Sequence, residues 1–224
     1  MTFQSLHAWD VTPQEAIAIQ ESLWQRVIRQ DQHGVIQRVA GIDIGFEENG
    51  ALTRAAVVVL SFPGLEWIES AVARRATSFP YIPGLLSFRE APAALEALEQ
   101  LKSLPDLLIC DGQGIAHPRR FGLASHLGLL CDLPSIGAAK SRLIGEHATL
   151  GAARGEWQYL FDKGEVVGAA LCTRQNTRPV YVSIGHRVSL ESAIRYTLDC
   201  ARRFRLPEPT RQAHQLASIK VLNS

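Results

Sequence analysis

A change in hydrophobic period limits the folds open to this sequence. Ahead of the change lie three β-rich stretches, at residues 35–46, 54–62 and 65–77. The segments 48–50 and 63–64 between them carry turn residues and are short enough to close hairpins. These three stretches are therefore predicted to form an antiparallel meander.

Beyond that meander the sequence alternates between helical and strand patterns. Apolar residues at helical spacing predict helices over 87–104 and 121–131, and short apolar runs predict strands at 106–110 and 135–139. An antiparallel start followed by this alternation favours a mixed sheet with helices on its faces. The expected class is α/β.

The two ends of the chain add further elements. Helices are predicted over 13–29 and 189–205, and each is opened by a capping hydroxyl. Two more strands are expected at 165–173 and 180–184, near an edge of the sheet. No element is predicted for the segment 208–224.

The composition fits one globular domain, expected to span residues 1–224. Hydrophobic residues make up 46% and charged residues 20% of the chain, and this length suits a single core. Disorder, collagen and coiled coil are thereby excluded. No apolar run approaches the roughly 18–20 residues of a membrane helix, and the N-terminus lacks the order of a signal peptide. A cytoplasmic protein with no membrane partner is expected.

The cysteines and the net charge leave the function open. The four cysteines are far apart and form no C-x-x-C pair, which predicts buried reduced thiols. A net charge of +1 neither requires nor forbids an acidic partner, because local patches create the attracting potential. The basic residues that could follow a phosphate backbone are Arg119, Arg120, Lys140, Arg142, Arg202, Arg203, Arg205 and Arg211. A solvated helix face is the alternative for Arg202 and Arg203.

Two carboxylates stand where strands can present them to a ligand. Asp43 shares one face of an apolar strand with Gly41 and Gly45, which predicts open space in front of it. Asp111 directly follows a buried strand, at the end where open α/β sheets gather catalytic groups. Two such charges 4 Å apart repel by about 4 kcal/mol at an effective dielectric of 20, so the pair predicts a bound cation such as Mg²⁺. Glu90 is a third candidate, and each residue alone also fits a cap or a helix-dipole partner.

Two loops carry further candidate residues. The loop after Asp111 contains glycines, His117 and two arginines, which suit close approach to a phosphate, although a solvated turn is the simpler alternative. In the segment 79–84, which we call the wedge segment, two prolines hold Tyr81 and Ile82 between them. Such a rigid apolar projection can enter a base stack, or it can cover the edge of the core.

These motifs resemble those of the endonuclease V family. The likeness covers most of the chain, from about Asp43 to His214. It implies a ribonuclease H-like fold and a Mg²⁺-dependent enzyme, with Mn²⁺ as a possible substitute. Such an enzyme recognises deoxyinosine in DNA and hydrolyses the second phosphodiester bond on its 3′ side, leaving 3′-OH and 5′-phosphate ends. The matching segments are 41–46, 80–90, 111–120, 125–126, 134–140, 185–189 and 206–211.

The resemblance also implies roles for individual residues. Asp43 and Asp111 would hold the metal, and Glu90 would complete the acidic site. His214 would approach that site from the C-terminal segment, and Lys140 would lie near the scissile phosphate. The residues expected to contact the flipped base or its strand are Tyr81, Ile82, Gly84, Leu85, Gly114 and His117.

Two alternatives to a DNA endonuclease stay open on the sequence. Inosine-containing RNA is a possible main substrate, because the motifs do not distinguish the two polymers. A module that binds inosine without cutting is the other alternative, although the retained carboxylates argue against it. In each case a monomer is expected.

Overall fold

The computed structural model of the chain describes residues 3–218, and eight of its segments form one mixed β-sheet. The strands are β1 Arg38–Glu47, β2 Leu52–Ser61, β3 Trp67–Ala76, β4 Leu107–Cys110, β5 Ser135–Ala139, β6 Trp157–Asp162, β7 Glu165–Leu171 and β8 Val180–His186. Along the sheet their order is β3-β2-β1-β4-β5-β8-β7-β6. The strands β1, β4 and β5 are parallel to one another, and every other neighbouring pair is antiparallel.

Within the described residues, five α-helices accompany the sheet. They confirm the predicted α/β class, and the pairing of β1, β2 and β3 confirms the meander. Thr12 caps the first helix as predicted, because its hydroxyl accepts from the amide of Glu15 at 3.3 Å and the Glu15 carboxylate accepts from the Thr12 amide at 2.7 Å. The helices are α1 Pro13–Leu23, α2 Leu86–Glu99, α3 Leu123–Cys131, α4 Leu190–Cys200 and α5 Glu208–Ser218.

Some predicted helix ends are wrong, and two elements of the structure were not predicted. The helices α1, α2 and α4 end five or six residues before the predicted positions, and a short 3-10 helix, Trp24–Arg26, follows α1. The strand β6 was not predicted, and it forms the edge of the sheet beyond β7. The helix α5 was not predicted either, and it carries His214. The last residues of the unassigned segment, 219–224, lie outside the described residues.

Apolar side chains cover both faces of the sheet. On one face α2 and α3 pack against β1 and β4, where Ile42, Leu98 and Leu127 are completely buried. On the other face α4 and α5 pack on a cluster that includes the buried Val39 of β1 and Ala213 of α5. The four cysteines are buried free thiols, as predicted. Among the described helices, none has the length and apolar character needed to cross a membrane.

Candidate active site

Asp43 and Asp111 come together because β1 and β4 are parallel neighbours. Ile42 stands opposite Cys110 in the register, and the amide of Asp111 donates to the carbonyl of Ile42 at 3.1 Å. The next residue on each strand is the carboxylate. The parallel register therefore places two residues that are far apart in sequence side by side at one edge of the sheet.

Lys140 follows the end of β5 and contacts both carboxylates. Its Nζ atom lies 3.9 Å from Asp43 Oδ1 and closer still to Asp111 Oδ2. β5 is parallel to β4, so its carboxyl end reaches the same edge of the sheet. The two aspartate oxygens thus lie within reach of one positively charged atom.

The space beside Asp43 is filled by α5, so the prediction of open space was wrong. A Cβ atom on Gly41 would lie 2.0 Å from the carbonyl carbon of Pro209 and 2.3 Å from the amide nitrogen of Thr210. Only glycine therefore lets the start of α5 lie against β1. One turn further along the helix, His214 Nδ1 lies 3.2 Å from Asp43 Oδ2. The close approach at Gly41 explains how the C-terminal segment reaches the site.

Glu90 approaches the carboxylate pair from α2. Its side chain is buried. Burial, together with the negative charges of Asp43 and Asp111, raises the pKa of Glu90 to about 8. Burial and the neighbouring Asp111 carboxylate raise the pKa of Asp43 to about 6. These carboxylates therefore resist full ionisation unless a further cation joins them.

The donor chemistry of this site fits a hard divalent cation. Asp43, Asp111 and Glu90 supply carboxylate oxygens, which are ligands that Mg²⁺ takes. The raised pKa values of Asp43 and Glu90 reflect a repulsion that such a cation relieves. Within residues 3–218, no group of three or more His, Cys, Asp and Glu side chains is already arranged to hold a metal ion.

The buried Glu90 predicts a contribution to the stability of the metal-free protein that falls as pH rises. Its pKa is about 8 in the folded protein against an ordinary value of 4.5, so between these values the folded state keeps a proton that the unfolded chain releases. The stabilisation is complete below pH 4.5 and is lost as pH approaches 8, with a slope of at most about 1.4 kcal/mol per pH unit.

Melting temperatures in EDTA between pH 6 and 8 test this expectation, because Asp43 titrates mostly below that range. The histidines whose pKa values are lowered by burial contribute equally to the parent and the variants. The melting temperature should therefore change with pH more positively in Glu90→Gln than in the parent, whereas Glu96→Gln, a control on the same helix, should follow the parent. Equal slopes in the parent and in Glu90→Gln would show that Glu90 ionises normally in the folded protein.

A cavity of about 360 Å³ opens beside the acidic site. Glu90, Asp111 and Lys140 line one side of it, and the wedge segment lines another. Tyr81 is 69% exposed at this cavity, whereas Ile82 is half-buried against the apolar cluster around Phe79. Tyr81 therefore has the exposure of a projecting wedge, and Ile82 covers the edge of the core.

The carbonyl of Gly84 ties the wedge segment to the loop that follows Asp111. It accepts hydrogen bonds from Gln20 Nε2 at 3.1 Å, His117 Nε2 at 3.0 Å and Arg119 Nη2 at 2.6 Å. A carbonyl only accepts, so His117 carries a proton on Nε2. Burial, with Arg119 nearby, lowers the pKa of His117 to about 4 and keeps its ring neutral. Gly84 and His117 both line the cavity.

Two residues predicted to line the pocket lie outside its wall. Leu85 is 1% exposed and packs with Phe79 and Phe88 in an apolar cluster. A Cβ atom on Gly114 would lie 1.9 Å from the carbonyl oxygen of Ile184, so this glycine permits close packing of its loop on β8. Both residues therefore support the cavity from behind.

Most of the arginines proposed for phosphate contacts are engaged within the chain. Arg120 forms salt bridges of 2.7 and 2.8 Å with two carboxylates of the β6–β7 hairpin. Arg211 pairs with a glutamate of its own helix, and Arg205 donates to two backbone carbonyls. Arg142 and Arg203 are exposed, and Arg142 lines the cavity. Arg142 is therefore the best placed of these residues to contact a bound strand.

Several residues of the cavity wall were missed in the sequence. A signal existed for one of them, because Ser87 stands three positions before Glu90 and so shares its face of α2. The side-chain Nε2 of Gln113 donates to the carbonyl of Ser141 at 3.0 Å, which closes another part of the wall. The missed wall residues are Pro83, Leu86, Ser87, Gly112, Gln113, Gly122, Leu123, Ala139, Ser141 and Leu143.

The strand order and the acidic site, formed where the ends of β4 and β5 meet the middle of β1, define a ribonuclease H-like α/β protein. The chain belongs to the endonuclease V family, because the family model for Endonuclease V matches residues 21–215. Endonuclease V from Roseiflexus sp. (strain RS-1) is 60% identical over 210 residues, which cover 94% of each protein.

Solved structures give the same assignment. The crystal structure of endonuclease V from Streptomyces avermitilis is 44% identical, with a TM-score of 0.89 over 94% of this chain and 93% of that one. Endonuclease V from Ciona intestinalis is 29% identical, with a TM-score of 0.79 over 91% of this chain and 95% of that one. It was solved in complex with a 24mer DNA containing an inosine followed by a ribo-adenosine.

Proposed function

We propose that this chain is a DNA repair endonuclease that recognises deoxyinosine and hydrolyses the second phosphodiester bond on its 3′ side. The products would carry 3′-OH and 5′-phosphate ends. The observation that carries the proposal is the cavity of about 360 Å³ that shares Glu90, Asp111 and Lys140 with the acidic site. The inosine-containing DNA bound by the Ciona intestinalis relative supports the choice of substrate.

The cavity suits a base that has been turned out of the duplex. Its volume lies within the range of ligand pockets, and the exposed Tyr81 is placed to fill the gap left in the stack. Hypoxanthine pairs less stably than a normal base, so its extrusion costs less. A base held here keeps its own strand beside the carboxylates, which favours cleavage at a fixed distance from the damage.

The acidic residues would hold Mg²⁺, or Mn²⁺ in its place, through Asp43 and Asp111 with Glu90 beside them. When bound, the cation supplies Lewis-acid stabilisation of the charge that develops on the phosphate. The Lys140 ammonium, held by Asp111, would bind a non-bridging phosphate oxygen or orient the attacking water. The ring of His214 would keep Asp43 in position through their 3.2 Å hydrogen bond.

Mapping of the cleavage site tests the proposal directly. A duplex with one deoxyinosine should be nicked once, at the second phosphodiester bond 3′ to the lesion, with Mg²⁺ or Mn²⁺ present and not with EDTA. Release of the free base, or equal nicking of an undamaged duplex, would contradict it. A matched inosine-containing RNA forms the second arm, since the relative's ligand has a ribonucleotide next to inosine.

Replacement of Tyr81 should separate recognition from chemistry. We expect Tyr81→Ala to lower the affinity for inosine DNA about tenfold, because stacking on an aromatic ring contributes about 1–3 kcal/mol per base, and to change the single-turnover rate at saturation much less. Tyr159→Ala, which removes a 40% exposed tyrosine from the edge strand β6, is the control. Unchanged selectivity for inosine in Tyr81→Ala would refute the wedge role.

The proposal extends to the organisation of the protein. We take residues 1–224 as a single endonuclease V domain, since one sheet runs through the described part of the chain. We also propose that it acts as a monomer in the cytoplasm. Light scattering of the purified protein with and without inosine DNA tests the oligomeric state.

A further inference from the structure

A chain of hydrogen bonds runs from the N-terminal segment to the wall of the cavity. His7 Nδ1 lies 2.7 Å from the carbonyl oxygen of Ala8, and His7 Nε2 lies 2.7 Å from His126 Nε2. On the far side of its ring, His126 Nδ1 lies 3.0 Å from Ser87 Oγ. His126 is completely buried and Ser87 is 3% exposed, and Ser87 lines the cavity.

The chemistry of the first bond fixes the direction of all the others. The Ala8 carbonyl only accepts, so His7 carries a proton on Nδ1 and, as a neutral ring, accepts at Nε2. His126 must then donate from Nε2, which leaves its Nδ1 as an acceptor. Burial lowers the pKa of both rings, so both are neutral near pH 7. The single proton of the Ser87 hydroxyl is therefore directed at His126.

Aromatic rings surround this histidine and isolate the chain of bonds. The rings of Trp9, Phe88 and Phe121 have centroids 5.0–5.4 Å from that of His126. In the part of the chain that the structure describes, His7 and Ser87 are the hydrogen-bond partners of the His126 ring. The hydroxyl of Ser87 thus presents lone pairs, and no proton, to the cavity.

We propose that Ser87 is a specificity-determining hydrogen-bond acceptor that reads N1 of the flipped purine, held in this polarity by His126 and His7. Hypoxanthine and guanine carry a proton on N1, whereas adenine presents a lone pair there. Ser87 therefore accepts 6-oxopurines and opposes adenine, because two lone pairs facing each other in a buried site make no bond. The inference rests on the proposed function and names one source of its selectivity.

Binding to three matched duplexes tests the inference. Each carries inosine, adenosine or guanosine at one position, and affinities are measured in metal-free buffer, where no strand is cut. We expect Ser87→Ala to lower the preference for inosine over adenosine about tenfold and to leave the preference for inosine over guanosine unchanged. A merely structural role would lower all three affinities in proportion, and this result would overturn the inference.

A second pair of variants keeps Ser87 in place and changes only the direction of the bonds. Lysine at position 7 donates to His126 Nε2, so the tautomer of His126 reverses and the Ser87 proton turns toward the cavity. The ionised carboxylate of glutamate only accepts and preserves the direction. His7→Lys should therefore lose discrimination between inosine and adenosine, and His7→Glu should keep it. Equal discrimination in these two variants would overturn the inference.

The two proposals fail in different ways. If the parent protein binds inosine and adenosine duplexes equally, then the proposed function is wrong. If the parent prefers inosine and Ser87→Ala retains the full preference over adenosine, then only the role of Ser87 is wrong.

Discussion

We expect Asp43→Asn to abolish nicking of inosine DNA while it raises the melting temperature of the metal-free protein. Loss of one metal-holding carboxylate removes several kcal/mol of transition-state stabilisation, which lowers the rate about a thousandfold or more. The folded-state pKa of Asp43 is about 6 against an ordinary value of 3.8. The stabilisation is complete below pH 3.8 and is lost as pH rises through 6, so at pH 7.5 the buried charge weakens the fold. Asparagine has the same shape without that charge.

Opposite changes in activity and stability distinguish this expectation from simple misfolding. Single-turnover cleavage, melting temperature and affinity for an inosine duplex should be measured on the same preparations at pH 7.5. Asp199→Asn, on the exposed surface of α4, should match the parent in all three. A non-cleaving inosine-binding module would show no difference in nicking between Asp43→Asn and the parent, and that result would refute the nuclease assignment.

The central strands were predictable from sequence because their signals are local. β4 and β5 are wholly buried, so continuous apolar runs mark them. The edge strand β6 has exposed and buried residues without a clear apolar run, which hides it. The helix α5 buries only Pro209, Thr210 and Ala213 of its eleven residues, so its apolar face is narrow. Both elements escaped prediction because their neighbours, and not a local apolar pattern, set their packing.

The site residues divide in the same way, into those with a local sequence signal and those whose position depends on long-range packing. Asp43 and Asp111 could be singled out from sequence, because Asp43 interrupts an apolar strand between two glycines and Asp111 directly follows a buried strand. The place of His214 followed only from family resemblance, since it depends on α5 packing against a glycine of β1. Leu85 and Gly114 lie in the expected loops but face the core and β8. A motif locates a loop, and long-range packing decides which of its side chains reach the cavity.

We expect Gly41→Ala to detach α5 from the sheet and thereby separate His214 from Asp43. The new methyl group would lie 2.0–2.3 Å from backbone atoms of Pro209 and Thr210, which cannot rotate away as a side chain can. Overpacking of this kind costs about 1–3 kcal/mol, so the melting temperature should fall by several degrees. Displacing a partner of a metal-holding carboxylate should also lower the cleavage rate about 10–100-fold.

Gly45→Ala is the matched control, because it lies on the same face of β1 and its nearest atom, the Ala217 carbonyl oxygen, is 4.0 Å from an added Cβ. It should melt and cleave like the parent. Hydrogen exchange of the α5 amides measures the detachment directly and should increase in Gly41→Ala alone. If hydrogen exchange of the α5 amides increases in Gly41→Ala while cleavage stays normal, then His214 does not support the chemistry. A rise in exchange together with lost cleavage would instead link the terminal helix to the reaction through Asp43.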